Sequence, residues 1–415
     1  MKLGYMTRPG QPDGWLAPLQ VRAGAEGLAA ATAALRAALD GTGPAIVPVP
    51  AGPVGAAVLA MARPDEPLEA TADAEQIALV APTSGSTGEP KGALLPASAL
   101  RASAAATLVR LGGPGQWLLA LPLTHIAGLQ VVIRSLLPGI DPVAMPDLGG
   151  FEPAAFAGAT ARLEAPRRYT ALVPTQLRRL LDGPPAGLDA LVTFDAVLVG
   201  GAALDQHLRS RALACGVRVV TTYGMSETCG GCVYDGMPLD GVQVDAPDEG
   251  PIRIGGAVVF IGYRLRPELT AIALDVLHGV RWHVTADLGA LDQHGRLLVH
   301  GRVDDVIVTG GEKVAPASVE RVLRSHPAVS EVVVLGVEDP AWGQRVVAVV
   351  VPRDGAQLDL PALRAHTAGR LAPYAQPREL VLVPRIPMVA SGKPNRSLLR
   401  RIVHDGTPAP SATAK

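Results

Sequence analysis

Residues 76–92 read QIALVAPTSGSTGEPKG, an apolar strand-like run that opens into a loop holding Gly85, Gly88 and Gly92, the hydroxyls of Thr83, Ser84, Ser86 and Thr87, and Lys91. Glycines let backbone N–H groups converge on an anion, hydroxyls add donors, and a lysine adds a compact positive charge. The loop therefore has the chemistry of a phosphate cradle. It does not fit the GxxxxGK[ST] pattern, because counted from Gly85 the lysine falls at Lys91 and Gly92 follows it. That disfavours a Walker-type kinase or ATPase. Taken alone, a loop of this composition also describes an ordinary turn, so its meaning depends on the rest of the chain.

Strand and helix patterns alternate beyond it. QIALV (76–80), YTALV (169–173), DAVLVG (195–200) and VRVVTTYG (217–224) predict strands. ASALRASAAATLVRL (97–111), TQLRRLLD (175–182) and DQHLRSRALACG (205–216) predict helices, the last stopped at Gly216. This alternation predicts βαβ units and a largely parallel sheet. From about 240 to 300, PIRIGG, RWHVTADLG and GRLLVHG lie between Gly, Pro and Asp turns, which predicts a smaller, mainly antiparallel β subdomain. Beyond GRVDDVIVTGG (301–311), the order helix, strand, strand, helix, strand, helix to the end predicts an α+β unit of domain size. The expected division is 1–301, a junction at 302–304, a C-terminal domain over 305–404 and a disordered Pro/Ala/Thr-rich tail over 405–415.

The chain has 415 residues, 48% hydrophobic and 18% charged, enough for two or three domains. A net charge of -1 without a basic block, and 3% aromatics, argue against a nucleic-acid surface. Cys215, Cys229 and Cys232 are too few for a disulfide scaffold and fit a reducing compartment. CGGC (229–232) has CxxC spacing but no second such pair for a zinc site, so its glycines read better as a pocket wall. The start MKLGYMTRPG carries no apolar signal segment. The longest apolar run, 117–140, is interrupted by Pro122, His125, Gln130 and Arg134 and reads as buried core. These features predict a cytoplasmic protein with no membrane insertion; a homodimer stays open.

Five stretches, in order, resemble the adenylate-forming superfamily of acyl- and aryl-CoA synthetases, adenylation domains and luciferases. They are the loop at 83–92, TYGMSET (222–228), TAD (285–287), GRVDDVIVTGGEKVAPASVE (301–320) and SGKPNR (391–396). Ser226, Ala286 and Ser391 depart slightly from the family pattern, and only 82 residues precede Thr83, fewer than is usual. The resemblance implies an α/β fold: a large N-terminal domain of parallel-rich αβα sheets with a small β subdomain, then a small mobile α+β C-terminal domain. It implies a reaction in two halves, in which a carboxylate joins the α-phosphate of ATP and the acyl group then passes to coenzyme A, with Mg²⁺ as the metal. Joining two anions calls for cations and donors around the phosphate.

By this resemblance, Thr83, Ser84, Gly85, Ser86, Thr87, Gly88 and Lys91 hold the β- and γ-phosphates. Thr222, Tyr223, Gly224 and Ser226, with Gly201 and Ala202, surround the nucleotide, and Tyr223 lies against the adenine. Asp287 takes the ribose hydroxyls, Arg302 supports ribose or phosphates, and Glu227 is the magnesium ligand. Lys393 is the catalytic lysine, bridging carboxylate and α-phosphate when the small domain swings in. Asp304 is the hinge, and Gly310, Gly311 and Lys313 line the coenzyme A channel.

LPLTHIAGLQVVIR (121–134) resembles the family's substrate-gate segment, with His125 at the gate. Arg134 lies in an apolar helical run, where an unpaired guanidinium is costly, and it would pair well with a second carboxylate on the substrate. A core histidine and a structural or snorkelling arginine are the plainer readings of these two residues. ALVPTQLRRLL (171–181) and AVLVGGAAL (196–204) are similar to the o-succinylbenzoate–CoA ligases of menaquinone biosynthesis. This places Thr175, Gly200, Gly201 and Gly230 around the acyl group. A ligase for another aryl or medium-chain acid, and a nucleotide-binding protein without turnover, are the alternatives.

Overall fold

The computed structural model describes residues 15–22, 24–68, 75–84, 90–146, 150–247, 250–388 and 394–405. The chain divides into two compact units. The first comprises Met1–Asp245, Arg253–Thr285 and Asp292–Leu297, and the second Ala246–Ile252, Ala286–Leu291 and Leu298–Lys415.

Two sheets build most of the first unit. One is five-stranded, in the order Leu16–Gln20, Ala45–Val49, Ile77–Ser84, Pro90–Pro96, Gly262–Tyr263. Its first three strands are parallel and the last two join antiparallel. No element before residue 76 was expected from the sequence. Among the described residues there, the structure builds two strands and two helices, Gly24–Asp40 and Gly52–Ala62, so the N-terminal segment supplies the outer strands of this sheet.

The other sheet is seven-stranded, in the order Met237–Pro238, Gly230–Tyr234, Val219–Met225, Ala196–Val199, Arg168–Leu172, Gln116–Leu119, Val143–Ala144. It is parallel from Val219–Met225 onward, and Gly230–Tyr234 turns back antiparallel. The Ala196–Val199 strand, AVLV, is buried throughout. A strand covered on both faces needs apolar residues at every position rather than at alternate ones. Leu118 joins a core with Phe156, Leu177, Phe194 and Leu208, while its neighbour Trp117 points the other way, under the guanidinium of Arg134.

A third sheet, also five-stranded, orders Val242–Asp245, Pro251–Gly256, Val280–Leu291 and Leu274–Leu277, with Leu297–Arg302 beside Val280–Leu291. Its pairings Val242–Asp245 with Pro251–Gly256, and Leu274–Leu277 with Val280–Leu291, are antiparallel.

The second unit carries the sheet Glu312–Val314, Ile307–Thr309, Gly343–Pro352, Val329–Asp339, with Glu379–Leu382 parallel on Gly343–Pro352. The unbroken apolar runs EVVVLGV and VVAVVV again signal two covered faces. Val332, Val334, Val346, Ala348 and Val350 pack with Val319, Leu323 and Leu363 on one side. Val333, Leu335, Val347 and Val349 pack with Leu399, Ile402 and Val403 on the other. The last helix runs Arg396–Asp405; the expected disordered tail beyond it lies outside the described residues.

Candidate active site

The two strands that flank the glycine loop pair with each other. Strands Ile77–Ser84 and Pro90–Pro96 pair antiparallel with Thr83 opposite Lys91. The strand thus leads back into a strand, not into a helix as in a P-loop. Gly85, Ser86, Thr87 and Gly88 lie outside the described residues. Lys91 does not stand alone: its Nζ lies 5.4 Å from the ring centroid of Tyr263.

Thr222, Tyr223 and Gly224 end the strand Val219–Met225, which runs into the single 3₁₀ turn Ser226–Thr228. Thr228 stabilises this turn by accepting from Met225 N at 3.0 Å and donating to Gly230 O at 2.8 Å. The chain then passes through Cys229, which has φ 51, a left-handed conformation that costs a non-glycine residue free energy. On the neighbouring parallel strand, a side chain on Gly200 would meet Thr222 Oγ1 at 2.2 Å, so only glycine lets the two strand ends approach this closely. Gly201 and Ala202 follow as exposed positions.

The turn presents Glu227 inward, only 8% exposed. Tyr263 Oη donates to its Oε1 at 2.8 Å, and among the described residues no basic side chain pairs with it. A buried carboxylate without a cation is costly. No group of three or more His, Cys, Asp or Glu that could hold a metal occurs among the described residues. One carboxylate with open coordination suits Mg²⁺ brought by phosphate oxygens, which needs only one or two protein oxygens. The residues therefore fit that ion.

Beside this turn, the helices Ala97–Arg110 and Ile126–Leu136 are tied by two polar rungs to Cys229 and to the strand Gly230–Tyr234 that follows it. In one, Gln130 Nε2 and Ser103 Oγ both donate to Cys229 O, at 2.8 and 3.0 Å. In the other, Arg134 Nη2 donates to Tyr234 Oη at 3.3 Å, and that hydroxyl lies 3.0 Å from Thr107 Oγ1. Spacings of four residues on both helices, 103/107 and 130/134, place the rungs one turn apart. His125 occupies the N-cap position of the helix Ile126–Leu136, with no capping hydrogen bond from its side chain. Gln130 Cγ lies 3.2 Å from the place a Cβ on Gly230 would occupy. Thr175 is at the start of the helix Pro174–Asp182 and is partly buried.

Arg134 is 3% exposed, lies 5.1 Å from the Trp117 ring, and leaves its Nε without a partner. Among the described residues no carboxylate pairs with it, so a structural salt bridge does not explain its burial. Desolvation pulls its pKa below the usual arginine value, opposed by Tyr234. Cys229 and Cys232 are buried free thiols whose pKa values burial raises, that of Cys232 to about 12. Neither supplies a thiolate near neutral pH.

In the second unit, Arg302 Nη1 donates to the nearly buried Asp287 at 3.2 Å and Arg302 Nη2 lies 3.6 Å from Asp304. Gly310 and Gly311, with φ 60 and 85, turn the hairpin between Ile307–Thr309 and Glu312–Val314, as a two-residue turn with both φ positive requires. Lys313 is exposed opposite Val308. Lys393 lies outside the described residues.

The structure thus brings Lys91 and Glu227 to one side chain, that of Tyr263, which the sequence reading missed. Its stretch AVVFIGY (257–263) offers only a weak signal: a tyrosine ending an apolar run needs an acceptor for its hydroxyl, but nothing local names that acceptor.

Known proteins resemble this chain in sequence and in fold. The family of AMP-binding enzymes matches residues 27–266, and its C-terminal domain matches residues 318–393. A probable 2-succinylbenzoate–CoA ligase of Mycobacterium tuberculosis H37Rv is 46% identical over 89% of this chain and 94% of its own length. The o-succinylbenzoate CoA synthetase (MenE) of Bacillus subtilis in complex with its acyl-adenylate intermediate OSB-AMP superposes with a TM-score of 0.72 at 26% identity, over 94% of this chain and 89% of that one. The same enzyme in complex with ATP and a magnesium ion gives 0.71 at 26% identity, over 94% and 90%. In sequence and in fold, the chain belongs to the family of AMP-binding enzymes.

Proposed function

We propose that the protein is an ATP-dependent 2-succinylbenzoate–CoA ligase, serving menaquinone biosynthesis in the cytoplasm. The observation that carries the choice of acid is Arg134. A buried guanidinium with an unpartnered Nε and no carboxylate among the described residues is best satisfied by an anion that arrives with the substrate. A dicarboxylic acid supplies one: one carboxylate is activated while the other is held.

In the first half-reaction, the acid's carboxylate oxygen attacks the α-phosphorus of ATP. The bond from that phosphorus to the β-bridging oxygen breaks, and pyrophosphate leaves with the electron pair. Lys91 and the loop at 83–88 balance charge on the β- and γ-phosphates, while Thr222, Tyr223, Gly224 and Ser226 with Gly201 and Ala202 surround the nucleotide. Asp287, steered by Arg302, accepts from the ribose hydroxyls. Glu227 would hold Mg²⁺, which when bound with ATP offsets phosphate charge. Lys393 bridges the two reacting anions. In the second half-reaction, the thiolate of coenzyme A attacks the acyl carbonyl, the carbon–oxygen bond to phosphate breaks, and AMP leaves. Asp304 serves as the hinge between the halves, and Gly310, Gly311 and Lys313 line the thiol's path. His125 gates the acyl pocket formed with Thr175, Gly200 and Gly230.

A panel of acids assayed for pyrophosphate release with ATP, Mg²⁺ and coenzyme A tests this reading. Succinylbenzoate is expected to surpass benzoate in kcat/KM by at least tenfold; a preference for benzoate overturns the choice of acid.

A further inference from the structure

We infer that Tyr263 is a positioning residue for the adenylation step, fixing the carboxylate of Glu227 and backing the ammonium of Lys91 with one side chain. The inference rests on the reading of Glu227 as the residue that holds the metal with ATP.

Three constraints immobilise Tyr263. Its strand, Gly262–Tyr263, pairs antiparallel with Pro90–Pro96, placing Tyr263 opposite Ala93 and two positions from Lys91. Its backbone N–H donates to Thr270 Oγ1 at 2.8 Å, which ties it to the following helix. Its ring packs edge-on against Phe260 at 4.9 Å, and Phe260 is in turn braced by His283 at 5.2 Å. Only 8% exposed, the ring has no room to turn away.

From this fixed position the hydroxyl donates to Glu227 Oε1, and Oε2 carries no hydrogen bond among the described residues. One carboxylate oxygen is thereby held and the other left for a ligand. Groups that orient a metal-binding side chain commonly change metal affinity 10- to 100-fold when removed. The π face meanwhile lies 5.4 Å from Lys91 Nζ, within cation–π range. The phosphate-loop lysine and the carboxylate turn, 136 residues apart from Lys91 to Glu227, are therefore registered by a single aromatic residue.

Two substitutions separate the contacts. Tyr263→Phe removes the hydroxyl and keeps the ring; Tyr263→Leu removes both. Binding of Mn²⁺ to the enzyme saturated with α,β-methylene-ATP is followed by electron paramagnetic resonance, which does not depend on turnover. Each titration is made well below the measured melting temperature, so lost stability cannot mimic lost affinity. For Tyr263→Phe, Mn²⁺ affinity is expected to fall about tenfold, and half-saturating Mg²⁺ for pyrophosphate release to rise in parallel, with KM for the acid within twofold. Tyr263→Leu adds a rise of about threefold or more in KM for ATP. Mn²⁺ affinity within twofold of wild type in both variants overturns the inference. Glu227→Gln is measured alongside. If it too leaves Mn²⁺ binding unchanged, the reading of Glu227 fails; if it alone weakens binding, only the role of Tyr263 fails.

Discussion

Glu227 in the first unit and Glu320 in the second are both buried glutamates, 8% and 6% exposed, yet their surroundings differ in kind. Glu320 is saturated from within: Arg324 donates at 2.8 Å, Arg396 at 3.0 Å and Val334 N at 3.0 Å. Glu227 has the Tyr263 hydroxyl and, among the described residues, no cation. A charge compensated by its own fold belongs to the scaffold. A charge left uncompensated by the fold costs the ligand-free protein stability, and a ligand of opposite sign would relieve that cost. Arg134 mirrors Glu227 with the sign reversed.

The contrast makes its strongest claim on Glu227→Gln. The amide can still accept from Tyr263, so the fold is kept, but the negative charge is gone. Adenylation is expected to slow about 10²- to 10³-fold, as for loss of one preorganised electrostatic group, with the melting temperature nearly unchanged. Stopped-flow pyrophosphate release and calorimetry check both halves of that statement. Glu320→Gln should do the reverse. Breaking one member of a paired, buried cluster costs about 3–5 kcal/mol of stability, read by denaturant unfolding, while kcat at low temperature stays within twofold. If Glu320→Gln cripples turnover without loss of stability, the division between scaffold and site charges is wrong.

Arg134→Met extends the test to the cation. An apolar side chain of similar length removes an uncompensated buried charge, so stability is expected to hold or rise, and Tyr234 keeps Thr107 as a partner. KM for succinylbenzoate should rise about 30-fold, equivalent to about 2 kcal/mol, and KM for a monocarboxylic acid should change little. A loss of stability with equal effects on both acids would make Arg134 structural.

The smallest effect lies in the second unit, at His366. It approaches Ser325 Oγ at 2.9 Å, Arg370 Nη1 at 2.8 Å and the ring of His326 at 4.9 Å. Burial, then Arg370 and His326, lower its pKa below the usual 6.5. The unfolded chain therefore takes up this proton first as pH falls. The stabilisation is full above 6.5 and is lost as pH drops through the lower folded value. Melting temperature should fall between pH 7.5 and 5.5, and His366→Gln should reduce that fall.

The expected site was named from short stretches of sequence. A loop of glycines and hydroxyls before Lys91 has the chemistry of a phosphate cradle, while the metal role of the acidic residue after TYGMS and the channel role of the glycines at 310 and 311 came from the family resemblance. Runs such as AVLV and EVVVLGV announced strands, and the structure covers both their faces. The N-terminal helix Gly24–Asp40 was not legible for a related reason: it is largely alanine, and its buried face includes Ala31, Ala34 and Ala38. Alanine gives an amphipathic pattern too little contrast to read.

The amino-acid order alone determined which groups carry charge, in what sequence they come and which stretches can be strands, because those are properties of short segments. Which charges are answered was decided only in three dimensions. Tyr263 reaches Glu227 across 36 residues, Arg396 reaches Glu320 across 76, and Arg134 meets Tyr234 across 100. Partners that distant are set by how sheets and helices pack, and the need of a buried polar group for a partner does not specify which one it finds.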